Sequence, residues 1–209
     1  MPGDAAGILL VAENPGSGSE AVDEVLARAR SGDRDAFNIL IMRHEQRILR
    51  LAQRMLGSRE DAMDAAQETF LRVFRHLHTF DLKRDFSAWL YRIAVNGSID
   101  LLRKRKRHDA HLEPLDSDEP SAPVLSLASS SPTADRLVYS AQLGKRVAGV
   151  LEQLSSVERA AFILRHYEEL STEEIAESLG LSSNAAKQAV FRAVQKMRKA
   201  LEAWTRSRQ

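Results

Sequence analysis

Cysteine is absent from all 209 residues. Disulfides and thiolate metal sites are therefore excluded, and the composition fits a reducing cytoplasm. Proline is scarce and confined to Pro2, Pro15, Pro114, Pro120, Pro123 and Pro132. A proline inside a helix costs about 3 kcal/mol, so the long proline-free stretches on either side of the middle read as helical modules. No apolar run approaches the ~20 residues that cross a bilayer, and no membrane insertion is expected. Residues 7–12 are apolar, but the stretch is short and no basic residue precedes it, which makes a poor signal peptide. No alternation of β-branched residues argues for strands. No carboxylate pair, nucleophile constellation or phosphate-cradling glycine loop argues for an enzyme, and none of these patterns implies a cofactor. His76 and His78 suggest metal, but residues two apart on a helix do not face each other, so no metal site is expected.

What is present is charge, unevenly spread. The net charge is only +1, which by itself announces no nucleic-acid partner. Arg103-Lys104-Arg105-Lys106-Arg107 is nevertheless an unbroken basic block, and between Lys187 and Arg208 seven Lys or Arg face one acid, Glu202. Acids gather at 60–68, 109–119 and 168–177. The expected architecture is all-α, with two small helical domains. Residues 1–20 form a tail expected to be disordered, 21–107 a first helical domain, 108–134 a flexible linker rich in Ser, Pro and Asp, and 135–205 a second helical domain. The linker has too little apolar content to offset its ordering entropy. As a coil of roughly 27 residues it reaches about 30 Å on average and about 90 Å stretched.

In the first domain the spacing predicts about four helices. Phe37, Leu40, Ile41, Ile48, Leu51, Ala52 and Met55 fall near helical period. Gly57 ends that helix and Ser58 caps the next, which is expected to bury Ala62, Ala66, Phe70, Val73, Phe74 and Leu77. Asp61, Asp64, Gln67 and Glu68 lie in its first turns. The macrodipole favours acids at a helix start, but Glu68 lies beyond the first turn. A polar break with Asp81, Lys83 and Arg84 follows. The last helix places Trp89, Arg92, Asn96 and Arg103 on one face. Asn pairs with base edges, Arg with phosphate or guanine, and Trp stacks on bases; Trp89 reads equally well as core. Gly97 costs that helix about 1 kcal/mol relative to Ala, and either close packing or close approach of DNA would account for it. The basic block complements a helix C-terminus, but five residues exceed that need and suit phosphate contacts.

In the second domain Leu143, Val147, Val150, Leu151 and Leu154 form one stripe. The segment STEEIAESLGLSSNAAKQAVFRAVQKMRKAL then carries a capping box from Ser171 to Glu174, a left-handed turn at Gly180 and a second cap at Ser182. This is a helix-turn-helix signature. Ala186, Val190, Val194, Met197 and Leu201 are expected to be buried. Ser183, Asn184, Lys187, Gln188, Phe191, Arg192 and Gln195 occupy the exposed side and are of the types that read DNA.

Two segments carry a family resemblance: DAMDAAQETF with the following aromatic and basic helices, and VERAAFILRHYEEL with the helix-turn-helix. Together they resemble the extracytoplasmic-function (ECF) group of bacterial RNA polymerase sigma factors, over about 34–107 and 135–201. The resemblance implies that Asp61, Asp64, Gln67 and Glu68 dock on the coiled coil of the polymerase largest subunit. It implies that Asp81, Lys83, Arg84, Trp89, Arg92 and Asn96, with Arg103–Arg107, capture a flipped base and bind the −10 promoter element. It implies −35 recognition by Ser183, Asn184, Lys187, Gln188, Phe191 and Arg192. Core RNA polymerase and promoter DNA are the implied partners, and an anti-sigma factor the implied antagonist. The two promoter boxes lie on the order of 50 Å apart, within the linker's reach. The family often has Gly-Thr-Val at the recognition-helix start and a second basic residue two places after the first; Asn184-Ala185-Ala186 and Ala189 stand here, so base preference does not carry over. Two other classes stay open on residues alone: a self-sufficient helix-turn-helix regulator that needs no polymerase, and a polymerase-binding decoy that never initiates.

Overall fold

The computed structural model describes residues 22–109 and 134–206. The expected tail at 1–20 and nearly all of the segment 108–134 lie outside the described residues. The described residues are all-α, with eight helices, one 3-10 turn and no strand.

The first bundle is built on α2 (Arg34–Leu56), which packs against α1 (Val22–Arg30), α3 (Arg59–His76) and α4 (Phe86–Asp109). Local signals set its boundaries. The Asp33 carboxylate accepts from the backbone N–H groups of Asp35 and Ala36 at 2.9 and 3.1 Å, satisfying donors that open α2. Gly57 ends it at φ 76°, a left-handed conformation that glycine adopts without Cβ strain. Ser58 then accepts from Asp61 N–H at 3.3 Å to start α3. A 3-10 turn (Leu77–Thr79) and a short loop lead to α4. Leu40, Ile48, Leu51, Met55, Val73, Leu90, Tyr91 and Val95 fill the centre. Each of the aliphatic and methionine side chains among them contributes roughly 1.5–3 kcal/mol by leaving water.

In the second bundle, α8 (Ser183–Arg206) packs against α5 (Ala134–Gln153), α6 (Ser156–His166) and α7 (Thr172–Leu179). The expected box is formed: Glu174 N–H donates to Ser171 Oγ at 3.2 Å and Ser171 N–H to Glu174 Oε2 at 2.7 Å. Gly180 takes φ 64° and Ser182 caps α8. The buried stripe of α8 differs from the expected one. Ala186, Ala189, Ala193 and Met197 are buried, whereas Val190 and Val194 are half-buried at its margin. Small residues let α8 lie close to α6 and α7, and the bulkier valines fit only where the helices diverge.

The two bundles touch. One apolar cluster runs from α1–α4 into Ala160, Ile163 and Leu164 of α6 and Ile175 and Ala176 of α7. The contacts are chiefly between α4 and α7 and between α2 and α6, with smaller ones between α4 and α6 and between α2 and α5. Arg159, 6% exposed, donates from Nη1 to Met55 O at 2.5 Å and from Nη2 to Glu152 O at 2.8 Å. Around this joint Arg54 stacks on the Tyr167 ring at 3.9 Å, Arg47 meets the buried Glu168 at 3.8 Å and Arg84 meets Glu177 at 3.2 Å. Replacing Arg159 by Leu removes donors from two carbonyls and should cost about 3 kcal/mol. Urea unfolding measures this, and a change below about 0.5 kcal/mol would mean that the joint contributes little.

Candidate functional site

The acidic helix start is divided between two surfaces. Asp61 is half-buried and forms an ion pair with Arg105 of α4. Asp64 and Gln67 are exposed, and Glu68 receives Arg72 Nε at 2.8 Å. That hydrogen bond holds the Glu68 carboxyl below its ordinary range. Asp64 and Gln67 sit on the shared rim of two grooves. One lies between α3 and α4, where Glu68, Arg72, Gly97 and Lys104 complete the walls. The other lies between α2 and α3 and is apolar, lined by Phe37, Ile41, Leu49, Met63, Phe70, Leu71 and Phe74.

The second groove corrects the sequence reading. Phe74, expected in the core, is 55% exposed, with its ring 5.1 Å from Phe37. Met63 is 53% and Leu71 44% exposed. Helix α3 thus carries two stripes: a buried one through Ala62, Ala66, Thr69 and Val73, and a parallel exposed one through Met63, Gln67, Leu71 and Phe74. The signal was in the sequence, since the apolar positions of α3 span a wider arc than one contact needs. An exposed apolar groove edged by charges of both signs, Arg34 and Arg59 with Glu45 and Asp64, marks a binding surface.

The loop before α4 is a built turn. Asp81 Oδ1 accepts from Lys83 N–H at 3.0 Å, and Asp85 caps α4 through Ala88 N–H at 2.6 Å. Asp81, Lys83 and Arg84 are all exposed, and Arg84 reaches Glu177 of α7. Trp89 is half-buried in an aromatic cluster, with ring centroids 4.9 Å from Phe80 and 5.9 Å from Phe86. Its packing serves the loop and α4 together, and Arg92 and Asn96, further along α4, are exposed. Gly97 meets nothing nearer than the Arg72 guanidinium at 4.0 Å, so helix packing does not require a glycine there. Residues Arg103 to Arg107 are all exposed but wind around α4: Arg103 pairs with Asp100 at 3.6 Å while Arg105 turns to Asp61.

On α8, Ser183, Asn184, Lys187, Gln188, Phe191, Arg192 and Gln195 are all exposed, and Phe191 keeps 59% of its surface in solvent. Lys187, Gln188 and Phe191 line a shallow groove with Thr172 of α7. Behind this face stands a second capping box that the sequence reading missed, from Ser155 to Glu158 at the start of α6. Its signal is the same serine-to-glutamate spacing seen at Ser171. Among the described residues no group of acids or histidines could hold a metal, and no helix is long and apolar enough to cross a membrane. The arrangement combines an exposed apolar groove, a turn and helix rich in residue types able to contact bases, and a helix-turn-helix whose second helix leaves one side exposed.

Comparison with known proteins agrees with that combination. Residues 40–108 match the family described as Sigma-70 region 2, and residues 145–197 the one described as Sigma-70, region 4. The ECF RNA polymerase sigma factor SigW of Bacillus subtilis (strain 168) is 32% identical over 177 residues, 84% of this chain and 94% of that protein. The ECF RNA polymerase sigma-E factor of Escherichia coli (strain K12) is 30% identical over 83% of this chain and 91% of its own length. A solved structure of CnrH in complex with the cytosolic domain of CnrY is similar at TM-score 0.63 and 29% identity, covering 88% of this chain and 99% of that one. The fold is also similar to sigma factor RpoE from Bartonella quintana, solved with the anti-sigma factor NepR, at TM-score 0.62 and 20% identity over 79% of this chain and 96% of that one.

Two sigma-70 regions in this order define a transcription initiation factor of the sigma class, a class that in general is not enzymatic. Within it, the chain belongs to the ECF RNA polymerase sigma factors. It directs promoter-specific initiation by RNA polymerase.

Proposed function

We propose that three faces divide the work of initiation. The α3 face with Asp61, Asp64, Gln67 and Glu68 docks on core polymerase. The loop and α4 open the −10 element, with Asn96 and Arg92 toward an extruded base and Arg103–Arg107 toward phosphates. The exposed side of α8 reads the −35 element. Residues 21–107 and 135–205 are the two working units and 108–134 the connector. The chain itself catalyses no covalent step and acts in the cytoplasm. An anti-sigma factor masking the docking faces is the expected antagonist.

The observation that best supports this reading is the exposed stripe of α3. Met63, Leu71 and Phe74 are large apolar side chains left in solvent beside Asp64 and Gln67. Surfaces of that kind supply affinity through the apolar area and orientation through the charges. Within the reading, Trp89 acts chiefly by supporting the base-capturing loop, since its ring packs on Phe80 and Phe86. Extruding a base costs a few kcal/mol of stacking, which contacts from the loop and Asn96 must offset.

Changing Asp64 and Glu68 together to Lys should abolish binding to core polymerase while leaving helical content intact. Comigration on size exclusion and circular dichroism measure the two, and unchanged affinity contradicts the docking role. Replacing Asn96 by Ala should cost about 1–3 kcal/mol of discrimination at one −10 base, with little effect on −35 duplex affinity. Promoter variants in a binding assay with the holoenzyme read this out; equal losses at both elements contradict base reading by Asn96.

A further inference from the structure

The basic residues of α8 do not all stand as independent surface charges. Glu158 occupies the third position of α6, and its side chain is only 7% exposed. Its Oε2 accepts from Ser155 N–H at 3.1 Å and from Lys196 Nζ at 2.7 Å, while Oε1 faces Arg192 Nε at 3.3 Å. Ser155 Oγ accepts from Glu158 N–H at 3.3 Å, so the backbone that carries the carboxylate is itself pinned. Burial opposes ionisation of Glu158, but hydrogen bonds from Lys196 and Ser155 outweigh it and hold the carboxyl below its ordinary range. The group is therefore a fixed anion, buried behind the recognition helix and touching two of its cations.

The geometry at Arg192 gives this a consequence. Arg192 lies on the exposed face beside Phe191 and Gln188, with 57% of its side chain in solvent. The pair engages Nε, on the inner side of the guanidinium. The group is planar with donors in a rigid fork, so holding Nε sets the plane and direction of the outer edge. A side chain fixed before binding loses less rotamer freedom when it binds. Without the carboxylate, Arg192 and Lys196 become long mobile cations next to a phosphate backbone, and phosphates carry no sequence information.

We infer that Glu158 is a positioning residue for promoter recognition: from α6 its buried carboxylate aims Arg192 at one base of the −35 element and restrains Lys196 from neighbouring phosphates. This deepens, and rests on, the reading of α8 as the −35 helix. It separates two jobs that composition alone would assign to every α8 cation, base selection and phosphate attraction.

The test uses the full chain bound to core polymerase, with −35 duplexes that carry each base in turn at every position of the best duplex selected from a randomised pool. Glu158→Gln keeps the side-chain shape and an acceptor for Ser155. It should reduce the preference at one position by about tenfold. It should also steepen the log–log salt dependence by about one to two units as released cations find phosphates. Arg192→Ala should lose the same base preference, and the double variant should lose no more than Arg192→Ala alone. Circular dichroism and core affinity should match the parent in all three. A Glu158→Gln protein with unchanged base preference and salt slope overturns the inference. So does a loss spread equally over all duplexes at unchanged slope, or a double variant that loses the product of the single effects. If Arg192→Ala keeps every preference while −35 dependence persists, the inference fails and α8 remains the reader. If the parent holoenzyme shows no −35 dependence at all, the reading of α8 fails with it.

Discussion

A buried arginine joins the two halves of this chain. Arg159 leaves α6 and hands its donors to the carbonyl of Met55, at the end of α2, and to that of Glu152, at the end of α5. Those carbonyls belong to helix ends, where the backbone has no partner of its own. A guanidinium is suited to the task because it keeps its charge and presents several donors at fixed angles. The left-handed Gly57 sits beside the joint, where a Cβ would stand 2.9 Å from the Glu152 carboxylate. The apolar cluster shared by α2, α4, α6 and α7 closes around this point, so hydrogen bonds to helix ends and apolar packing together hold region 2 and region 4 in one arrangement.

The same arrangement explains how a chain of net charge +1 can present basic faces to DNA. Its charges are sorted and then partly tied. Asp61 holds Arg105, Glu177 holds Arg84, and Glu158 holds Arg192 and Lys196. The Arg84 and Arg105 pairs are well exposed on the arginine side, so each contributes modestly to stability and is screened by salt. Their value is directional: each leaves part of a cation in solvent with a limited set of orientations. The Arg84–Glu177 pair crosses between the bundles, so a loop expected to meet the −10 element is oriented by the half expected to meet the −35 element.

Local structure was legible in the sequence wherever one residue type has one good use. Ser58, Ser171 and Ser182 as caps, and Gly57 and Gly180 as left-handed ends, stand where spacing puts them; the Asp33 cap of α2 emerged only from the structure. The polar and basic face of α8 was equally plain. Phe74 was misassigned because periodicity reports that a helix has apolar sides without saying what covers each; on α3 one stripe is covered by α2 and α4 and the other is left open. The register of α8 was misread because alanine gives a weak hydrophobic signal although it allows the closest helix approach, and valines drew the stripe one position away. Contact between the bundles was not legible at all. Arg159, Arg47 and Glu168 look like ordinary charged surface residues until the fold buries a carboxylate or a guanidinium beside a helix end. The Ser155–Glu158 box was overlooked although it repeats the Ser171–Glu174 spacing.

The central claim is that this chain selects start sites only as part of the polymerase, with separate faces for docking, melting and reading. Run-off transcription from a library of promoter fragments, with core polymerase alone, the chain alone and both together, tests it most directly. The account requires discrete transcripts with both components and none with either one, together with weak, unselective binding of the fragments by the isolated chain. Tight, selective binding by the chain alone, without new transcripts when polymerase is added, would contradict it.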